Sequence, residues 1–395
     1  MTTVAPAPPA FDGLLADIAE GAVERELGDV NPFHQVRSVA DAGYGRLRLP
    51  VERGGAGASL RALFASIIDL AEADPTVAHI YRTHFWLTED FLAARTPTTD
   101  RFLEQVADGK VFGNATSERG TRPAGSQDFS TTLARTGDGY RLNGEKFYTT
   151  GTLFSDFVSV WAVDDDGTPT TVVIPTSRGG VEILDDWDGF GQRRTGSGTT
   201  RFTDVVVHPD EVVRRVDRDD RLPSTQGAFV QLYLHAVVAG VMRSVVSDAR
   251  DLVVARSRNF SHANSPTPVD DPSVQQVIGE LASLAFVAEA TVLAAAETLD
   301  AAADSADDGI PDARLANDAA LAASKTKVIL DDLGTRAATV LFEAGGASAS
   351  SRNKDLDRHW RNIRTITLHN PRRLKAQAVG ADLLTGQPLP ANGYF

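Results

Sequence analysis

No cysteine occurs among the 395 residues of this chain. That excludes disulfides, thiol nucleophiles, iron–sulfur clusters and zinc–cysteine sites. Positive charge is scarce as well: 39 Lys and Arg stand against 53 Asp and Glu, a net charge of −14. A nucleic-acid binder carries a basic footprint, so no nucleic-acid partner is expected. The start, Met1-Thr2-Thr3-Val4-Ala5-Pro6, lacks the basic residues and apolar stretch of a secretion signal. No apolar run approaches the roughly 20 residues of a membrane span. No Gly-x-Gly-x-x-Gly follows a strand and opens a helix; Gly54-Gly55-Ala56-Gly57 has the wrong spacing, so no nicotinamide site is expected. What remains is a cytoplasmic enzyme without a membrane partner. Its 42% hydrophobic composition suffices for a large core divided over two or three domains.

The hydrophobic period divides the chain into three. Residues 1–110 read as an N-terminal helical domain. Ala58-Ser59 precedes Leu60, Leu63, Ile67 and Leu70 at helical spacing, and Asp74-Pro75 is an N-cap followed by proline at the first helical position. From there Ile80, His84, Leu87 and Phe91 share one apolar face, which points His84 inward. Residues 111–215 switch to short β-rich runs, at 158–163, 170–174, 181–184 and 199–207, parted by turns such as Gly137-Asp138-Gly139 and Asp165-Asp166-Gly167. Residues 216–395 return to helix, with long segments at 225–260, 273–303, 313–344 and 355–385, the pattern of an antiparallel four-helix bundle. The Ala- and Asp-rich stretch 299–308 reads as a solvated helix end. Asn370-Pro371 interrupts the last segment and reads as the cap of a new helix, leaving His369 at a joint where a side chain can point across a cleft.

Several motifs occur in a telling order. Phe112-Gly113-Asn114-Ala115-Thr116-Ser117-Glu118 with Gly125-Ser126 comes first, then Leu142-Asn143-Gly144-Glu145-Lys146-Phe147-Tyr148-Thr149-Thr150-Gly151. Phe190-Gly191-Gln192-Arg193 with Gly196-Ser197-Gly198-Thr199 follows, and then Phe342-Glu343-Ala344-Gly345-Gly346-Ala347-Ser348. Together they resemble the acyl-CoA dehydrogenase superfamily over nearly the whole chain. That resemblance implies an α+β fold: an N-terminal helical domain, a central β-barrel-like domain and a C-terminal four-helix bundle. Within the superfamily, Phe147-Tyr148-Thr149-Thr150-Gly151, Arg82-Thr83-His84-Phe85 and the run from Asp357-Arg358-His359-Trp360 to His369 resemble the flavin-dependent monooxygenases of the dibenzothiophene monooxygenase type.

The resemblance implies reduced FMN supplied by a separate NAD(P)H-flavin reductase, O2 as co-substrate, FAD as the alternative flavin, and a homotetramer. It implies transfer of one oxygen atom from a flavin C4a-hydroperoxide to a small aromatic or heteroaromatic substrate, at sulfur or an indole-like carbon. The expected catalytic residues are His84, His369, Tyr148, Thr149 and Asn114. The expected flavin-binding residues are Thr116, Ser117, Ser126, Thr149, Thr150, Gly345, Gly346 and Ser348, with Arg256 or Arg258 on the phosphate. A histidine with a near-neutral pKa suits proton donation in such a site. The stretch 352–375, with eight Lys or Arg and two Asp, reads either as phosphate recognition or as a helix paired with acidic surface. Two rival activities remain: N-hydroxylation of an amine or amino sugar, and acyl-CoA dehydrogenation with a displaced base. A flavin-free scaffold is the third class. Dehydrogenation requires a carboxylate over the thioester. Neither stretch where the family keeps it, 365–369 or 232–235, contains Asp or Glu.

Overall fold

The computed structural model describes residues 11–120, 128–213 and 222–390. Seven helices come first: α1 Asp12–Ala19, α2 Ala22–Gly28, α3 Phe33–Asp41, α4 Leu60–Ala73, α5 Pro75–Ile80, α6 Arg82–Ala94 and α7 Pro97–Ala107. The capping signals act as read. Ser59 Oγ accepts from Ala62 N at the start of α4, and Asp74 Oδ1 accepts from Thr76 N and Val77 N at the start of α5, with Pro75 at its first position. The expected continuous helix beyond Asp74 is broken at Tyr81, whose backbone N–H turns back to His79 O and whose hydroxyl donates to Val36 O.

The strands are β1 Phe112–Ala115, β2 Thr132–Thr136, β3 Gly139–Lys146, β4 Phe157–Asp164, β5 Pro169–Pro175, β6 Val181–Ile183, β7 Thr200–Val207 and β8 Val212–Val213. They form one sheet in the order β6-β7-β3-β2-β4-β5-β8, with β1 also pairing β4. β1 and β2 run parallel to β4, and the remaining pairs are antiparallel. Leu133, Leu142, Val158, Val160, Val172, Ile174, Phe202 and Val205 make its core.

The chain then returns to helix as α8 Gln226–Val254, α9 Pro272–Asp304, α10 Ala313–Gly345, α11 Asp357–Thr367 and α12 Arg372–Thr385. One hydrophobic core joins α4 to α8, α9 and α10. Gly240 makes the α4–α8 crossing close: a Cβ there would lie 2.5 Å from Ala71 Cβ and from Ile68 O. The stretch 299–308 is solvated at its far end, where Asp304 and residues 306–308 are exposed, but not at its start. Leu299 and Ala302 are buried, and Asp300 caps α4 by accepting from Leu60 N and Arg61 N. α8 and α9 are long and apolar enough to cross a membrane on length and composition; 83% of the apolar window of α8 is buried, against 28% for α9.

Candidate functional site

The break at Tyr81 puts His79 at the end of α5 and Arg82 at the start of α6. His79 Nδ1 lies 2.9 Å from Gln192 Oε1, and Gln192 is held by the α11 side chain Asn362, whose Oδ1 accepts from Gln192 N at 2.6 Å. Trp187 Nε1 and Thr195 Oγ1 both donate to Gln192 O. With the amide oxygen facing the ring, His79 carries its proton on Nδ1 and leaves a lone pair on Nε2. Burial, aided by the charge of Arg82, lowers its pKa to about 4.

His369 stands at the joint between α11 and α12, and Arg82 Nη1 approaches its Nε2 at 3.5 Å while Arg82 Nε donates to Val230 O. The donor at Nε2 leaves the His369 proton on Nδ1. The ring has a solvent-facing surface yet sits deep in protein, and burial drives its pKa well below the usual value. Arg82, His79, Lys327 and His235 push it the same way. Both imidazoles are therefore neutral at neutral pH. The expectation of a near-neutral histidine acid is corrected: the pair offers hydrogen bonds and a lone pair.

His84 does not belong to this site. Its ring is buried, with Nε2 2.9 Å from Gly45 O and Tyr81, Phe85 and Phe112 around it, and burial lowers its pKa to about 4. It is a core histidine; His79, five residues earlier, takes the place expected for it.

The loop after β3 closes the β-side. Gly151 has φ +82°, and a Cβ there would lie 2.7 Å from Ile80 O, so only glycine lets the loop reach the end of α5. Thr150 Oγ1 meets Ser197 Oγ at 2.7 Å, and Ser197 Oγ meets Thr195 Oγ1 at 2.7 Å, which links this loop to Gln192. Tyr148 is exposed, in the left-handed region at φ 56°, with its ring against Trp187. Thr149 is fully buried, and its hydroxyl is used up on Gly198 O and Thr200 Oγ1, which makes it a structural group rather than a catalytic one. Asn114 Nδ2 donates to Thr83 Oγ1, and Asn114 O accepts from Thr152 Oγ1.

Thr116 and Ser117 follow β1. Thr116 O accepts from Lys146 Nζ and Ser117 O from Phe147 N, while neither hydroxyl bonds another described residue. Glu118 holds Lys146 at 2.8 Å and accepts from Ser130 N and Thr131 N, so it organises this strand pair. Ser126 lies outside the described residues. Arg256 donates to Ala344 O at the end of α10, beside Gly345 and Gly346, while Ser348 Oγ turns back to Gly345 O. Gly346, at φ +59°, approaches Phe260. Arg258 is exposed and makes no hydrogen bond or ion pair among the described residues.

Part of the basic stretch is internally paired. Arg358 holds Asp248, Arg361 holds Glu26, Asp355 and Asp357, and Arg372 holds Asp332, as the acidic-surface reading expects. A cavity of about 60 Å³, lined by Arg25, Asp74, His359 and Asn362, has neither His79 nor His369 in its walls, and suits ordered water better than a reactant.

The sequence matches the acyl-CoA dehydrogenase middle domain over residues 114–205 and its C-terminal domain over residues 232–372. It is 30% identical to the dibenzothiophene monooxygenase of Mycolicibacterium goodii, over 94% of this chain and 92% of that one. It is 29% identical to a probable FMNH2-dependent monooxygenase, SfnC, of Pseudomonas putida, over 97% and 95%. The fold matches FMN-bound TdsC from Paenibacillus sp. A11-2 with a TM-score of 0.89 and 28% identity, over 97% of this chain and 98% of that one; TdsC is also known with FMN and indole together.

Proposed function

This chain belongs to the acyl-CoA dehydrogenase superfamily, and from that premise we propose that it is a reduced-FMN-dependent monooxygenase acting on a small aromatic or heteroaromatic compound. The observation that carries the reading is the pair His79 and His369, two neutral imidazoles where a dehydrogenase needs a carboxylate. The nearby acid, Asp331, is buried and bound to Lys327 and His235, so it is not available as a displaced base. Arg82 and Lys327 are cations acting on His369, which disfavours an amine and hence N-hydroxylation.

The residues present fit a flavin. Gln192 Nε2 and Asn370 Oδ1 are buried without partners among the described residues, and the Thr116 and Ser117 hydroxyls bond no other described residue, which suits a ring edge of alternating donors and acceptors. Asn114, Thr116, Ser117, Thr150 and Gln192 would hold the ring. Arg258, with Gly345, Gly346 and Ser348, would hold the phosphate; Arg256 buttresses that turn. Reduced FMN bound there would supply the two electrons that activate O2, one oxygen atom going to the substrate and the other leaving as water. His369 orients a donor held on Nδ1, and His79 accepts a hydrogen bond or takes up a proton at Nε2. Gln192, Trp187 and Tyr148 shield that exchange from bulk water.

Asp331, in the cluster beside His369, and Gly345, in the glycine turn, lie 14 residues apart on α10, about 21 Å of helix. This supports a homotetramer in which one subunit's glycine turn completes a neighbour's flavin site. The electrons would come from a separate NAD(P)H-flavin reductase, in the cytoplasm. The test supplies chemically reduced FMN, isotopically labelled O2 and indole to the purified protein. One labelled oxygen atom in the product is expected. Unlabelled indole, together with anaerobic bleaching of the bound flavin by an acyl-CoA, would point to the dehydrogenase instead.

A further inference from the structure

His235 lies on α8 one turn beyond Gln231 and is buried. Its Nδ1 is 2.9 Å from Gln231 O, and its Nε2 is 3.1 Å from Asp331 Oδ1. A backbone carbonyl and a carboxylate both accept, whereas a neutral imidazole has a single N–H. Asp331 Oδ2 lies 2.9 Å from Lys327 Nζ, and that ammonium also donates to Thr367 O at 3.2 Å. Thr367 ends α11, where carbonyls lack helical partners and a cation is favoured. On the other side of His369, Asn370 Nδ2 donates to Gln231 Oε1 at 2.7 Å. The turn bearing His369 is thus tied down before and after the histidine, both times to this buried cluster.

We propose that His235 is a positioning residue for His369: an imidazolium that anchors Asp331, which anchors Lys327, which fixes the end of α11. The role rests on the reading of His369 as part of the oxygenation site. With Lys327 and His235 positive and Asp331 negative, the cluster holds one net positive charge. It is faced by Lys327 and Asp331 from α10, by Gln231 from α8, and by His369 and the Thr367 carbonyl from the joint. An Asp331→Asn change keeps the pattern. The amide donates to His235 Nε2, its oxygen accepts from Lys327, and His235 becomes neutral with its Nδ1–H still on Gln231 O. Hydrogen bonds and net charge are conserved with one proton fewer.

The test uses the full chain with nitrogen-labelled histidine. At the pH of the oxygenation assay the His235 ring, facing an acceptor at each nitrogen, should show two proton-bearing nitrogens, falling to one in Asp331→Asn. A single proton-bearing nitrogen in the unmodified protein would overturn the proposal. Hydrogen exchange at residues 367–371 should quicken about tenfold or more in His235→Ala and stay near normal in Asp331→Asn. Product from indole per O2 consumed should fall roughly 10- to 100-fold in His235→Ala, with FMN affinity unchanged. Normal exchange together with normal product in His235→Ala would also overturn it. If the unmodified protein yields no product while the ring and exchange results hold, the monooxygenase reading fails and the positioning role stands.

Discussion

The residue scale decides which histidine does chemistry. His79 and His84 are five residues apart, about 140° around a continuous helix. The helical period that correctly turned His84 into the core therefore turned His79 away from it. What buries His79 is Gln192, 113 residues on and in another layer, a contact no local period reports. His369 was legible because Asn370-Pro371 interrupts a helix. The cap was not: α12 begins after Pro371 with no side-chain cap, and the Asn370 amide reaches across to Gln231 instead. The buried imidazoles also predict acid sensitivity. His79, His84 and His359 all have pKa values lowered to about 4, so between 6.5 and 4 the unfolded chain binds protons that the folded chain does not. Stability is intact above the unfolded value and falls with pH through that window, by on the order of 3 kcal/mol per histidine. Denaturant unfolding at a series of pH values checks this, and a flat profile from 6.5 to 4 would contradict it.

At the element scale, periodicity and turn chemistry sufficed for most of the architecture. The four bundle segments, the cap at Asp74 and the strands at 157–164, 169–175, 181–183 and 200–207 lie within a few residues of expectation. Contacts between elements were hidden, as with Asp300, which reads as surface and caps α4. Two predictions belong here. Gly151→Ala would force a Cβ against Ile80 O at positive φ. It should cost roughly 1–3 kcal/mol and weaken FMN binding by pushing the β3 loop off α5; unchanged melting and FMN titrations would contradict it. Arg258→Ala should raise the FMN dissociation constant about tenfold or more, as loss of a charged phosphate contact does. Arg256→Ala, losing its bond to Ala344 O, should mainly lower stability, by about 1 kcal/mol. Titration and thermal melting of both variants separate the roles.

At the scale of the whole molecule, α9 is apolar yet largely uncovered, with Phe286 at 73% exposure. Apolar surface of that kind marks an interface. A second subunit there agrees with a glycine turn that lies about 21 Å along α10 from Asp331. Phe286→Glu is predicted to yield smaller species by light scattering that bind FMN weakly; a monomer with undiminished FMN affinity would contradict shared sites. The molecule brings together a histidine from near one end of the chain and one from near the other, across a β-loop, and among the described residues the nearby acid, Asp331, is bound to Lys327 and His235. The most direct test compares product formed per O2 consumed by His79→Ala and His84→Ala, given reduced FMN and indole. The account predicts that His79→Ala makes almost no product while still binding FMN. It predicts that His84→Ala keeps most of its product at a cost of about 2–4 kcal/mol in stability. Near-normal product from His79→Ala, with loss confined to a folded, FMN-binding His84→Ala, would contradict it.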